Sequence, residues 1–180
     1  MKVLIIFETV EGQTRKIVGA IENQVRSAGH DVQLFDTNDR LAALSFDGID
    51  KVVLAAPVHE RRHPAGFEVL VGASRDALRA RDTLLISVSL KAAFPEGREE
   101  AQDYLIEMKM RTGFEPDKEM LLAGAVRTAS YGYFESQIVQ NVALEGREIE
   151  LVDGVCEFTD WGALREDVDE FLFGQPSDRS

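Results

Sequence analysis

Cysteine is almost missing from this chain. A single one, Cys156, occurs in 180 residues, which excludes an internal disulfide and fits a reducing compartment. Three histidines, His30, His59 and His63, with no paired cysteine spacing, offer no ligand set for zinc, so no metal is expected. No Ser-His-Asp arrangement can be argued either. Long apolar runs are absent too. None approaches the roughly 18 residues that a spanning helix needs, and Lys2 is followed by only five apolar residues before Glu8, too few for a signal peptide. Basic charge is scarce: 20 Lys and Arg against 32 Asp and Glu give a net charge of −12. That argues against nucleic acid or an anionic membrane surface as a principal partner. Repeats and low-complexity segments are lacking. The expected chain is cytoplasmic, at most weakly peripheral at the inner face of the cell membrane, and able to form a homo-oligomer.

Buried strands alternating with amphipathic helices are what the chain does contain. Val3-Leu4-Ile5-Ile6-Phe7 is an uninterrupted apolar run, suited to a strand covered on both faces. Ile17, Val18, Ile21 and Val25 then fall on one helical stripe. Further strands are expected at Val32–Phe35, Lys51–Ala56, Thr83–Leu90 and Glu119–Val126. Helices are expected from Phe67 to about Arg79, after Pro95 as far as Gly113, and from Trp161 to Phe173, with Trp161 in the core and Thr159 or Asp160 as cap. Alternation of this kind implies an α/β class with a parallel sheet and right-handed crossovers.

Between the first strand and helix lies Glu8-Thr9-Val10-Glu11-Gly12-Gln13-Thr14-Arg15. Unpaired N–H groups and the positive helix pole meet there, which suits a phosphate. A glycine-containing turn at this place is also ordinary in α/β proteins that bind nothing.

Met1 to Phe7 followed by Thr9-x-Glu11-Gly12-Gln13-Thr14 resembles the start of a flavodoxin-like domain, and most of all that of the menaquinone-dependent protoporphyrinogen IX dehydrogenases. Val58-His59, Arg62-His63, Ser87-Val88-Ser89-Leu90, Ala123-Gly124-Ala125-Val126, Tyr131-Gly132-Tyr133-Phe134 and Thr159-Asp160-Trp161 continue the likeness over roughly residues 1–173. The resemblance implies a doubly wound five-stranded parallel sheet in the order 2-1-3-4-5, with a ligand at the switch point between strands one and three. It also implies flavin mononucleotide (FMN) on Thr9, Glu11, Gly12, Gln13, Thr14, Val58, His59, Ser89, Leu90 and Lys91. His59 and Arg62 are candidate catalytic groups. The implied reaction is protoporphyrinogen IX oxidation with a quinone acceptor, a step of haem biosynthesis. Two other functions fit the residues: an FMN electron carrier without a substrate of its own, and a domain that has lost FMN. Three positions depart from the family pattern. Glu8 replaces a small hydroxyl residue, Pro57 a serine and Arg61 a glycine. A carboxylate at Glu8 that points inward would repel a phosphate, so Glu8→Ser is expected to tighten FMN.

An insertion at about 127–158 follows strand five within a single domain of 1–173, and a disordered tail is expected at 174–180. Tyr131, Tyr133 and Phe134 offer planar apolar surface for a flavin or a tetrapyrrole, or an anchor to the core. Arg61 and Arg62 could pair with the propionates of such a substrate. Ile138, Val139, Val142 and Leu144 are apolar, but Glu145, Glu148, Glu150 and Asp153 follow them.

Overall fold

A computed structural model describes residues 1–127 and 155–174. Five parallel strands form one sheet in the order β2-β1-β3-β4-β5. They are β1 (Lys2–Phe7), β2 (Asp31–Asp36), β3 (Lys51–Pro57), β4 (Asp82–Ser89) and β5 (Lys118–Ala123). The register is unbroken: Val3 pairs with Val32 and Lys51, and Ser89 with Ala123. This is the order expected from the sequence.

Each strand side chain goes to one of two cores because successive residues point to opposite faces. Val3, Ile5 and Phe7 meet Ile17, Val18, Ile21 and Val25 of α1 (Gln13–Ser27) and Leu164, Val168, Phe171 and Leu172 of α5 (Trp161–Phe173). Leu4 and Ile6 meet Phe67 and Val71 of α2 (Ala65–Ala73), Leu78 of α3 (Arg75–Arg79), and Leu105 and Met108 of α4 (Arg98–Thr112). That double burial is why β1 reads as an uninterrupted apolar run. Among the described residues, no helix is long and apolar enough to cross a membrane.

Several boundaries differ from the expectation. The single helix expected from Phe67 to Arg79 is two, α2 and α3, meeting at Ser74. Pro95 opens a short 3-10 turn, and α4 begins only at Arg98. The expected fifth strand divides at Gly124. Ala125–Arg127 leaves the main sheet as β6 and pairs antiparallel with β7 (Val155–Glu157). A side chain at Gly124 would press within 3.3 Å of Val88 Cγ1, so glycine suits the position where the chain turns off the sheet. Trp161 is half-buried at the rim of the core rather than inside it. Asp160 caps α5, accepting from the Ala163 amide at 2.9 Å. Most of the insertion (128–154), including Tyr131, Tyr133, Phe134 and Ile138–Leu144, and the tail 175–180 lie outside the described residues.

Candidate functional site

The loops after β1, β3 and β4 open on the carboxyl edge of the sheet, where a doubly wound fold places its ligand. The first of them runs straight into α1. Gly12 caps that helix with φ 93°, a left-handed conformation that glycine adopts without strain, and no side chain caps the helix start. The first-turn amides, of Gln13, Thr14 and Arg15, have no partner within the helix. Thr9 braces the turn from below, its hydroxyl accepting the Gly12 amide at 3.0 Å, and Thr14 is 2% exposed beside it. The arrangement suits an anion bearing several oxygens. Glu11 lies in the same loop, half-buried.

Glu8 does not point into this loop. Its carboxylate accepts from the Thr37 hydroxyl, and Oε2 is 3.5 Å from where a β-carbon on Gly66 of α2 would stand. As the residue after Phe7 it continues the strand alternation onto the face of α2, opposite the face that carries α1. The expected repulsion of a phosphate is therefore not built into the geometry.

After β3, the Val58 amide donates to Val88 O at 2.8 Å, which ties this loop to β4. The His59 amide donates to Arg62 O and the Arg62 amide to His59 O, at 2.9 and 3.0 Å. Glu60 and Arg61 form the two-residue turn between them with φ of 48° and 67°. Both are left-handed, which costs roughly 1 kcal/mol or more for a residue with a side chain. Arg61 keeps the backbone conformation of a glycine while adding a side chain. That side chain is held by Glu100 Oε1 at 2.9 Å and lies over the Tyr104 ring at 5.6 Å.

Glu100 also binds Lys91 Nζ at 2.7 Å and accepts from the Tyr104 hydroxyl. The Lys91 ammonium lowers the Glu100 carboxyl below the usual range, with Tyr104 adding to the effect. One carboxylate on α4 thus joins the loop after β3 to the loop after β4. In the latter, Ser89 is buried and its hydroxyl accepts the Ala92 amide at 3.3 Å, while Leu90 is half-buried. Arg62 pairs with Glu68 at 2.9 Å. A substrate propionate would have to displace Glu100 from Arg61, or Glu68 from Arg62. His59 is half-buried. Its neighbour His63 goes the other way, 1% exposed beneath the loop, with Nε2 2.8 Å from Ser87 Oγ.

Two groups were not singled out from the sequence. Glu157, the last residue of β7, and Thr159, just before α5, reach back to Gln13 in the first turn of α1. The signal available was Thr159-Asp160-Trp161, read there as a helix start and as part of the family likeness, with no role at the site. The other is Glu100, an ordinary acidic residue of an amphipathic helix until the fold brings two loops to it. Among the described residues no cluster of His, Cys, Asp and Glu could hold a metal ion.

Residues 4–148 match the flavodoxin domain. The chain belongs to the flavodoxin family. The protoporphyrinogen IX dehydrogenase [quinone] of Escherichia coli K12 is 26% identical to it over 163 residues, covering 89% of each chain. Of solved structures, oxidised flavodoxin 1 from Bacillus cereus superposes with a TM-score of 0.57 at 15% identity, covering 98% of this chain and all of that one. A Klebsiella pneumoniae protein, provisionally a quinone reductase, superposes at 0.55 with 14% identity, covering 98% of this chain and 86% of its own. These two likenesses concern the fold. Family membership accounts for the strand order.

Proposed function

We propose that this flavodoxin-family protein is an FMN-dependent oxidoreductase that oxidises protoporphyrinogen IX and passes the electrons to a quinone. The observation that carries the reading is the extent of the likeness to the Escherichia coli enzyme, which covers 89% of both chains rather than the ligand loops alone. The start of α1 fits the cofactor: a left-handed Gly12, no side-chain cap and outward amides at Gln13, Thr14 and Arg15 suit a phosphate dianion. Bound FMN supplies two-electron chemistry between the porphyrinogen and the quinone. The protein's share is position and electrostatics. Amides of the first loop would hold the phosphate and the backbone at Val58, His59 and Ser89–Lys91 would border the flavin ring, with His59 the candidate group for a proton and Arg62, once released from Glu68, for a developing charge.

Purified protein mixed with FMN is expected to take up the cofactor noncovalently. The loaded protein should then oxidise protoporphyrinogen IX with menadione in the absence of any other protein. Absence of FMN uptake would overturn the reading. Uptake with turnover only when a second redox protein is added would favour an electron carrier, for which the net charge of −12 suits docking on a basic partner. Because Glu8 is turned to Thr37, Glu8→Ser is expected to change the FMN dissociation constant less than about twofold at low or high salt. A tightening confined to low salt would show that Glu8 does act on the phosphate.

A further inference from the structure

Gln13 is the first residue of α1 and is 7% exposed. Nε2 lies 3.2 Å from Glu157 Oε2 and 3.0 Å from Thr159 Oγ1. A carboxylate only accepts, so the NH2 end of the amide must face Glu157, and chemistry settles which way Gln13 points. Thr159 Oγ1 lies 2.7 Å from the carbonyl of Ala123, which also only accepts. The Thr159 hydrogen therefore goes to Ala123, and its oxygen accepts from Gln13. Donation runs in one direction, from the first turn of α1 through Thr159 to the last residue of β5. The other end of the amide, Oε1, is buried without a donor among the described residues. An amide that leaves its oxygen unpaired in the interior is retained against a standing cost.

What this side chain fixes is the peptide that follows Gly12. Gly12 has left-handed backbone and no side-chain cap behind it, and glycine alone gives that peptide plane little resistance to rotation. Thr9 holds the Gly12 amide on one side, and the Gln13 side chain holds the next residue on the other. Glu157 is itself held, taking Lys16 and the Trp161 indole N–H, at 2.7 Å for the latter. Although burial alone would raise it, Lys16, Trp161 and Gln13 together keep its carboxyl below the usual range.

We infer that Gln13, Thr159 and Glu157 are positioning residues for phosphate binding, by which the corner between β7 and α5 sets the donor geometry at the first turn of α1. The inference rests on the FMN reading above and assigns to Gln13 a role for its side chain, distinct from the donor role of its backbone. Since β7 is the strand that pairs with β6 at the mouth of the insertion, cofactor retention depends on how the chain returns to the fold there.

The test compares FMN with riboflavin, which lacks the phosphate, by quenching of flavin fluorescence on the full chain. Thr159→Val keeps the shape and removes both hydrogen bonds of the hydroxyl. It is expected to raise the FMN dissociation constant about tenfold and to leave that of riboflavin within about twofold. Thr159→Ser should restore FMN binding to within about twofold of the wild type. Gln13→Met attacks the same chain from its other end and keeps the question answerable should Thr159→Val fail to fold. Its effect is also expected to fall on FMN alone, and the double variant should be no weaker than the weaker single one. The inference is overturned if FMN binds both variants as it binds the wild type, or if FMN and riboflavin weaken by the same factor. A wild type that takes up no FMN overturns instead the reading on which the inference rests.

Discussion

Glu68→Gln should lower stability by about 3 kcal/mol, the low end of what breaking a buried ion pair from one side costs. The carboxylate of Glu68 is 5% exposed on α2. Arg111 grips it with Nη2 at 2.7 Å and with Nε at 3.0 and 3.2 Å, and Arg62 Nη2 adds a bond at 2.9 Å. Burial pushes the carboxyl up, but hydrogen bonds and charge from Arg111 and Arg62 outweigh it and hold it below its ordinary value. Its contribution to stability is therefore present at neutral pH and is lost only as pH falls through that lowered value. Glutamine keeps the volume, removes the charge and faces two guanidinium groups with an NH2 that cannot accept. Arg111 and Arg62 stay partly solvated, which places the cost at the low end. For a chain of this size the melting temperature should fall by roughly 6–12 °C. A melting temperature within a degree or two of the wild type would show that the clamp contributes no net stability. The effect should reach the candidate site as well, because Arg62 is both a partner of Glu68 and the last residue of the turn after β3.

Acidification should destabilise the protein through His63 before the carboxylates titrate. The imidazole is 1% exposed, with Nε2 at Ser87 and Nδ1 buried without a partner among the described residues. Burial is the largest influence and lowers its pKa, Glu68 opposes that, and Arg111 adds to it, for a value of about 4 against an ordinary 6.5. Between those two values the unfolded chain binds a proton that the folded chain refuses. Stability therefore rises with pH across this window and is lost as pH falls through it. The gap amounts to roughly 3 kcal/mol. Urea unfolding at pH 7 and pH 4.5 measures it, with His63→Gln as the reference that has nothing to titrate at this position. The wild type should lose roughly 2–3 kcal/mol more than the variant between the two pH values. Equal losses would mean that His63 is hydrated and titrates as it would in the unfolded chain.

The strands and the outer helices were legible because their signals are local. A five-residue apolar run can be buried only between two layers, and Leu164, Val168, Phe171 and Leu172 sit on one face at helical spacing whatever they pack on. The glycine-led loop into α1 was legible for a similar reason, being one short stretch between a strand and a helix. The strand break at Gly124 was not. Residues 119–126 read as one β segment, and β6 separates only because it finds β7 some thirty residues later in the chain.

Side-chain roles followed the same division. From the sequence, Glu8 looked like a handicap because it adjoins the loop; its direction depends on strand alternation and on Thr37, 29 residues away. Arg61 and Arg62 looked like free cations for a substrate, and both have found acids on α4 and α2. His59 and His63 are four apart in one loop, yet one stays at the rim and the other is sealed against β4. By itself the sequence determined the α/β class, the order of elements, the two-faced burial of β1 and the glycine-led entry to α1, since each depends on residues within a few positions of one another. Only the tertiary structure decided which charges are already paired and what braces Gln13, because those partners, from Thr37 to Thr159, are brought together by the crossovers and not by the spacing of the chain.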